Sequence, residues 1–365
     1  MGRAGRAGET GTAEVLTLAE DRERWEAVVA EAPETDVYFT AGYYGTFETY
    51  ENSGARMFVY EEGDDRTYFP FFLRRIGEED LFDVATAYGY GGFLVPERRR
   101  GDASYVERLT AALDDYYLRA GVVSEFVRFH PVLRTHTFAP VETHFVQPTI
   151  AVDTAAGSEE IWERYSGSQR RAVRKARQAE LEFGITSGAA AAPGWLSEFS
   201  GLYLRTMRRV GAAEWYLFPE TLLEEHARQL GGHVLQASVH ADSGMVAGAL
   251  LLSWNGHLHY HLGASEADAL QLRPNNWLFH RVIEWAHENG YASFHLGGGV
   301  HGEDSLYRFK RGLDPTGRCE FHVGRRIIQP EVYRELADAW RDAVPEESSF
   351  DPDYFPLYRA KVEHD

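Results

Sequence analysis

Only three of the 37 basic residues in this 365-residue chain are lysines: Lys175, Lys310 and Lys361. Arginine stands everywhere else, so a retained lysine marks a position where a compact, titratable ammonium does what a guanidinium fork does not. Genome bias and chance are the plain alternative. A second feature is His259-Tyr260-His261. On a strand, alternation sets Tyr260 on the face opposite both histidines. A phenol there can hydrogen-bond a reacting group, and an imidazole near its reference pKa, such as His261, can take a proton from an amine. A satisfied core tyrosine accounts for the same residue. Between Arg170 and Arg177 five cations fall within two helical turns, Arg170, Arg174 and Arg177 on one face and Arg171 and Lys175 on another, with Val173 and Ala176 facing inward. Such a run is usually a solvated helix face. In a chain of net charge −19 it is a local surface for a phosphate-bearing partner, such as a tRNA acceptor stem or a coenzyme A pyrophosphate. Leu296-Gly-Gly-Gly299 follows a strand, so the amides around Gly297 and Gly298 can approach an anion, although a tight strand exit explains them equally. Tyr88-Gly-Tyr-Gly-Gly92 is either a binding loop with two aromatic faces, Tyr88 and Tyr90, or turn chemistry.

Composition narrows the setting. A 44% hydrophobic, 13% aromatic chain of this length supplies cores for two domains. The single cysteine, Cys319, excludes an intramolecular disulfide and a thiolate zinc cluster, and the histidines show no metal-ligand spacing on one helix, so no metal is expected. Met1 to Thr12 is rich in Gly, Ala and Arg without a signal-peptide core, and no stretch approaches a membrane span. The reading is a cytoplasmic protein without integral membrane contact, a monomer or weak homodimer.

The elements that position these residues repeat. Alternation predicts strands at Arg56 to Glu61, Thr67 to Arg74 and Leu81 to Thr86, then an amphipathic helix from Ser104 to Ala120 stopped by Gly121, then a strand from Glu125 to Phe129. The second half predicts strands at Val234 to His240, Met245 to Ser253 and His257 to Leu262, the last two joined by the hairpin signal Asn255-Gly256. A helix follows, with Pro274 near its start, a buried stripe of Trp277, Phe279, Val282, Ile283 and Trp285, and Gly290 past its end; Ala292 to Leu296 reads as a strand. The halves match in element order at an offset of ~170 residues. Meander, helix and strand in one mixed sheet is the core of the GNAT acyltransferase fold, so the predicted class is α/β (α+β) with two tandem GNAT-like lobes, each a mixed sheet flanked by helices. The expected division is 14–150 plus 326–365 for the first lobe and 151–325 for the second. The boundary is expected near Pro148 to Gly157, and the helix from Pro330 to Arg341 is expected to return to the first lobe.

Six strings occur in order along the chain: Tyr88-Gly-Tyr-Gly-Gly92, Phe126-Val-Arg-Phe-His130, Ser168-Gln-Arg-Arg-Ala-Val-Arg-Lys-Ala176, Leu204-Arg-Thr-Met-Arg-Arg209, His259-Tyr-His-Leu-Gly-Ala-Ser265 and Ser305-Leu-Tyr-Arg-Phe-Lys-Arg-Gly312. Together they resemble the Fem family, the aminoacyl-tRNA-dependent transferases that build peptidoglycan cross-bridges, and its GNAT-like relatives. The resemblance implies an acceptor groove between two lobes, with the first lobe on the acceptor side and the second on the donor side. It places Phe309-Lys310 at the donor end, Lys310 meeting an oxyanion or a donor phosphate, and it places Arg209, with Tyr216 after it, where an acceptor phosphate is gripped. The implied catalytic set is Lys310, Tyr260 and His261. Phe309, Arg171, Arg174, Lys175, Gly297 and Gly298 are the expected donor contacts, and Arg209, Tyr216, Tyr88 and Tyr90 the expected acceptor contacts. No resident cofactor is implied, only a co-substrate, aminoacyl-tRNA or an acyl-CoA. Two departures matter. The turn ahead of the second-lobe helix, Leu270 to Asn275, lacks the Gln/Arg-x-x-Gly-x-Gly/Ala pattern that holds coenzyme A pyrophosphate, and Val37 to Tyr50 lacks the lysine that peptidoglycan members use on a nucleotide diphosphate. The second departure weighs against a UDP-linked precursor, and the expected acceptor is instead a lipid-linked cell-wall intermediate, an amino sugar or an amine on a small natural product. An acyl-CoA-dependent enzyme and a catalytically silent binding protein are the alternatives.

Overall fold

A computed structural model describes residues 11–51, 53–188, 191, 194–345 and 348–362. The segment 1–10, most of the stretch read above for a signal sequence, lies outside them. The chain forms two compact units, the first from the described residues of Met1–Ala32, Phe47–Phe145 and His322–Asp365, the second from Pro33–Thr46 and Val146–Phe321.

In chain order the first half runs β1 (Thr12–Thr17), α1 (Leu18–Glu31), α2 (Ala41–Glu51), β2 (Gly54–Glu62), β3 (Asp65–Arg75), β4 (Phe82–Ala85), α3 (Ala103–Arg119) and β5 (Val122–Arg128). Then come β6 (Thr143–Asp153), α4 (Ser158–Arg164), α5 (Gly167–Arg177), β7 (Glu182–Ser187), α6 (Ser197–Arg209), α7 (Glu220–Leu230), β8 (Val234–Ala241), β9 (Gly244–Trp254), β10 (His257–Ser265), α8 (Pro274–Glu288), β11 (Ser293–Gly297) and α9 (Ser305–Arg311). The chain closes with β12 (Arg318–Ile327) and α10 (Pro330–Ala343).

The repeat read from the sequence is present. In the first unit β2, β3 and β4 form an antiparallel meander, α3 crosses over, and β5 pairs parallel to β4. In the second, β8, β9 and β10 form the meander, α8 crosses over, and β11 pairs parallel to β10. Local chemistry explains the joints: Asn255 and Gly256 take φ 46° and 80° in the β9–β10 turn, as a two-residue hairpin with both central residues left-handed requires. Each sheet buries one face under its crossover helix. Tyr105, Leu109, Leu113 and Tyr117 of α3 join Phe58, Phe69 and Phe71 in one core. Leu278, Val282 and Ile283 of α8 join Ala237, Ala249, Leu251 and Leu258 in the other.

Two expectations are corrected. The units divide at 145/146, just ahead of the expected Pro148 to Gly157 stretch, which itself holds Pro148 to Asp153 of strand β6; β6 pairs with β11 from Ile150 to Asp153. Residues 33–46, assigned to the first lobe, cluster with the second, because Val37, Phe39, Tyr43 and Tyr44 are fully buried and Asp36 hydrogen-bonds His259. At the other end, the chain closes on the first unit through hydrogen bonds from Gln329 to the Val122 carbonyl, between Tyr358 and Ser124, and from Arg359 to Asp83. No helix among the described residues is long and apolar enough to cross a membrane.

Candidate active site

The parallel ladder between β10 and β11 has three rungs, His257↔Ser293 to His259↔His295. Beyond it a bulge between Tyr260 and Leu262 shifts β10 against β9, and a second irregularity between His295 and Gly297 shifts β11 against β6. The strands part at this point, and the side chains of interest sit there. Tyr260 packs on Phe279 of α8 with ring centroids 4.8 Å apart. Its phenol folds back over Gly263, where a Cβ would stand 1.6 Å from the hydroxyl oxygen. Gly263 is therefore a space requirement of Tyr260. Burial pushes the Tyr260 hydroxyl up to about 12, so at neutral pH it is a hydrogen-bond donor and not a base. Gly263→Ala should leave the fold in place, since only a side-chain tip has to move, yet expel the phenol. The expected result is a fall in turnover of about tenfold, matching Tyr260→Ala, with no further loss in the double variant.

Lys310 approaches from α9. Asp304 caps that helix, one carboxylate oxygen accepting from Tyr307 N (2.8 Å) and the other from Val300 N (2.8 Å) and His301 N (3.2 Å). Lys310 is 5% exposed, donates from Nζ to the Gly298 carbonyl at 2.7 Å, and lies 5.6 Å from the Tyr260 ring centroid. Burial pulls its ammonium down to about 8, against a smaller opposing pull from Asp304. Phe309 packs on Phe279 at 5.4 Å, and its carbonyl accepts from Gln169 Nε2 at 2.7 Å. Asn276 at the start of α8 donates to Gln169 Oε1 at 2.6 Å. Gln169 thus ties α5, α8 and α9 together around the lysine. Sequence reasoning passed over it; the available signal was a glutamine on the inward face of an arginine-rich helix.

His261 is not part of this group. Alternation along β10 carries it to the opposite face, 6.2 Å from the Tyr43 ring and 5.1 Å from that of His226. Burial, with His226 and His259 beside it, holds its pKa well below the ordinary 6.5. The expected trio is therefore a pair, Lys310 and Tyr260, with a neutral buried histidine behind the sheet. On that same rear face His259 Nε2 meets Asp36 Oδ2 at 2.9 Å, both fully buried, with Tyr38 edge-on to the imidazole at 5.0 Å. No spacing in the sequence announces a pairing of residues 223 positions apart.

The remaining candidates scatter. On α5, Arg171 and Lys175 are exposed, Arg170 donates to the carbonyls of Glu163 (2.8 Å) and Tyr165 (2.5 Å), and Arg174 lies over Trp162 at 5.6 Å. The glycine run is a packing feature: Gly297 pairs with Ile150 in the sheet, a Cβ on Gly298 would meet the Pro148 carbonyl at 2.9 Å, and one on Gly299 would meet Asp304 at 2.4 Å. Arg209 ends α6 and is exposed. One turn earlier Thr206 bonds the backbone of Ser265, whose hydroxyl accepts from Asn275 of α8, so α6 and α8 meet at the same end of β10. Tyr216 is 42% exposed, edge-on to Trp215, and its carbonyl accepts from Tyr203. Tyr88 and Tyr90 belong to the first unit, packing on Phe47 and His130, while the Gly89 and Gly91 carbonyls that follow each of them accept from Arg128 and Thr135.

Residues 164–311 match the family described as Acetyltransferase (GNAT) domain, so the second unit carries an acyltransferase fold of that class. No curated protein matches the chain. Over most of the chain the fold is like that of FemX, at TM-score 0.66 and 14% identity, covering 88% of this chain and 99% of that one. The C-terminal domain of a putative lysylphosphatidylglycerol synthetase from Agrobacterium fabrum is similar at TM-score 0.53 and 16% identity, over 88% and 96%. A conserved protein of unknown function from Bacteroides thetaiotaomicron VPI-5482 follows at TM-score 0.52 and 12% identity, over 86% and 98%.

Proposed function

We propose that the chain transfers an aminoacyl group from aminoacyl-tRNA to an amine of a cell-wall precursor, an amino sugar or a natural product. The observation that carries this reading is Lys310, a buried ammonium beside Tyr260 where β10 and β11 part. The amine attacks the ester carbonyl, a C–N bond forms, and charge gathers on the carbonyl oxygen. Lys310 faces that charge in a low-dielectric setting, where such a counter-charge has its largest effect. Collapse restores the carbonyl, breaks the bond to the ribose oxygen, and that oxygen leaves with the proton the amine gives up. Tyr260, protonated at neutral pH, donates to the oxyanion or to the leaving oxygen. Arg171 and Lys175, exposed on a basic helix in an acidic chain, meet donor phosphates, with Arg174 beside them. Phe309 positions Lys310, and Gly297 and Gly298 shape the donor side by letting backbone pass close. Arg209 and Tyr216 take the acceptor, with Tyr88 and Tyr90 on the acceptor lobe. Likeness of fold to FemX and to a putative lysylphosphatidylglycerol synthetase supports an aminoacyl group over a simple acyl group.

The runner-up donor is an acyl-CoA, which the acetyltransferase match favours and the lack of a pyrophosphate turn ahead of α8 disfavours. Incubation with labelled aminoacyl-tRNA or acyl-CoA and a panel of amines separates them. The expected result is label on an amine, abolished by RNase, with Arg171→Gln/Lys175→Gln raising KM for the tRNA at low salt and flattening its rise with salt. RNase-resistant transfer from acyl-CoA would install the runner-up, and no transfer from either donor would leave a binding protein.

A further inference from the structure

A cavity of about 390 Å³ opens between α4, α5 and α8, away from Lys310. Glu284 on its wall lies about 12 Å along α8 from Asn276, the residue that touches the lysine's supporting network. Its chemistry is of two kinds. Trp162, Tyr165 and His280 supply ring surfaces, the His280 ring lying 5.4 Å from Trp162 and 5.9 Å from Tyr165. Arg174 and Arg177, three residues apart and so on one helix face, supply two guanidiniums against the single carboxylate of Glu284, which Arg281 already engages at 3.2 Å. His280 is 5% exposed, and its Nε2 makes no hydrogen bond, although Glu284 Oε1 stands 3.3 Å away. A buried polar nitrogen left unbonded on a cavity wall is costly unless something enters to meet it. Burial, with Arg177 and Arg281 nearby, pulls His280 down to about 4, so it offers a neutral donor or acceptor.

We propose that this cavity is a second ligand site, for a small organic anion with a flat ring: the ring lies among Trp162, Tyr165 and His280, and a carboxylate or phosphate group is taken by Arg174 and Arg177. The lining favours such a ligand over simpler ones, since a bare anion leaves the aromatic walls wet and an uncharged ring gains nothing from the guanidiniums. The inference stands on this cavity alone and does not depend on the acyl-transfer reading.

Titration calorimetry on the full chain tests it. Indole-3-carboxylate and AMP probe the carboxylate and phosphate sources; indole, adenosine, acetate and inorganic phosphate are the controls. The expected result is saturable binding of at least one ring-bearing anion, at least about tenfold tighter than its uncharged analogue or the bare anion. Arg177→Gln, at an exposed position that tolerates change, should weaken binding about tenfold; His280→Phe should abolish it; Lys310→Met should leave it intact. No binding by either ring-bearing anion, equal binding of the uncharged rings, or undiminished affinity in Arg177→Gln would each overturn the proposal.

Discussion

Lys310→Met should lower the acyl-transfer rate by two to three orders of magnitude and at the same time raise the melting temperature. On the proposed mechanism the rate loss follows from removing the ammonium that meets the developing oxyanion, a change worth about 3–4 kcal/mol in comparable sites. The stability gain follows from the depressed pKa. An ammonium that titrates near 8 in the folded chain and at 10.5 in the unfolded one binds fewer protons when folded, so stability rises as pH climbs from 8 toward 10.5. Below pH 8 the buried charge therefore costs about 3 kcal/mol. Methionine fills similar space without charge; after the lost hydrogen bond to Gly298 the net gain is about 1–2 kcal/mol, or a few degrees. Two pH profiles check the argument. The wild-type rate should fall above about pH 8 as Lys310 loses its proton, and the stability rise between pH 8 and 10.5 should be missing from the variant. A methionine variant with undiminished turnover would remove Lys310 from the chemistry.

That stability conflict explains why the lysine stood out in the sequence. Lys175 and Lys361 are exposed, and the third lysine is buried at a cost, which a protein retains where the charge is used. The meander, hairpin and crossover helices were legible for another reason: period-two alternation and a left-handed Asn-Gly turn are local, and α3 and α8 carry long apolar stripes. Elements with weaker local signatures escaped. α1 buries only Leu18, Trp25 and Val29, and β6 carries Pro148 in its interior, which interrupts a strand pattern. Partnerships across the chain escaped altogether. Asp36 with His259, and Gln169 with the Phe309 carbonyl, depend on the folded arrangement and leave no spacing to count. The placement of His261 shows the opposite case, where the alternation rule was sufficient: it already set Tyr260 apart from its neighbours, and the separation decides that only one of the two faces the lysine.

Arg326→Met is expected to destabilise the protein by about 3–5 kcal/mol without altering the chemistry per folded molecule. Arg326 stands directly across from Glu125 in the β5–β12 ladder, donating from Nε to Oε2 at 3.0 Å and from a terminal nitrogen to Asp114 at 2.6 Å, with its guanidinium 5.4 Å from the Tyr117 ring. Tyr117 donates to the other Glu125 oxygen at 2.6 Å. Glu125 is 1% exposed, and burial already raises its pKa despite the arginine. Taking the arginine away strands a carboxylate in the core of the first unit, and its pKa must rise further. A folded-state pKa above the unfolded one means the folded protein holds the extra proton, so the variant loses stability as pH rises through that window. Its deficit against wild type should be largest at neutral pH and shrink toward pH 4.5. Glu125→Gln in the Arg326→Met background, which removes the stranded charge but keeps an acceptor for Tyr117, should recover a large part of the loss and flatten the pH dependence. Denaturant unfolding at pH 5 and pH 7 decides the matter, since a variant equally destabilised at both values would show that packing against Tyr117, and not the buried charge, holds β12 in place.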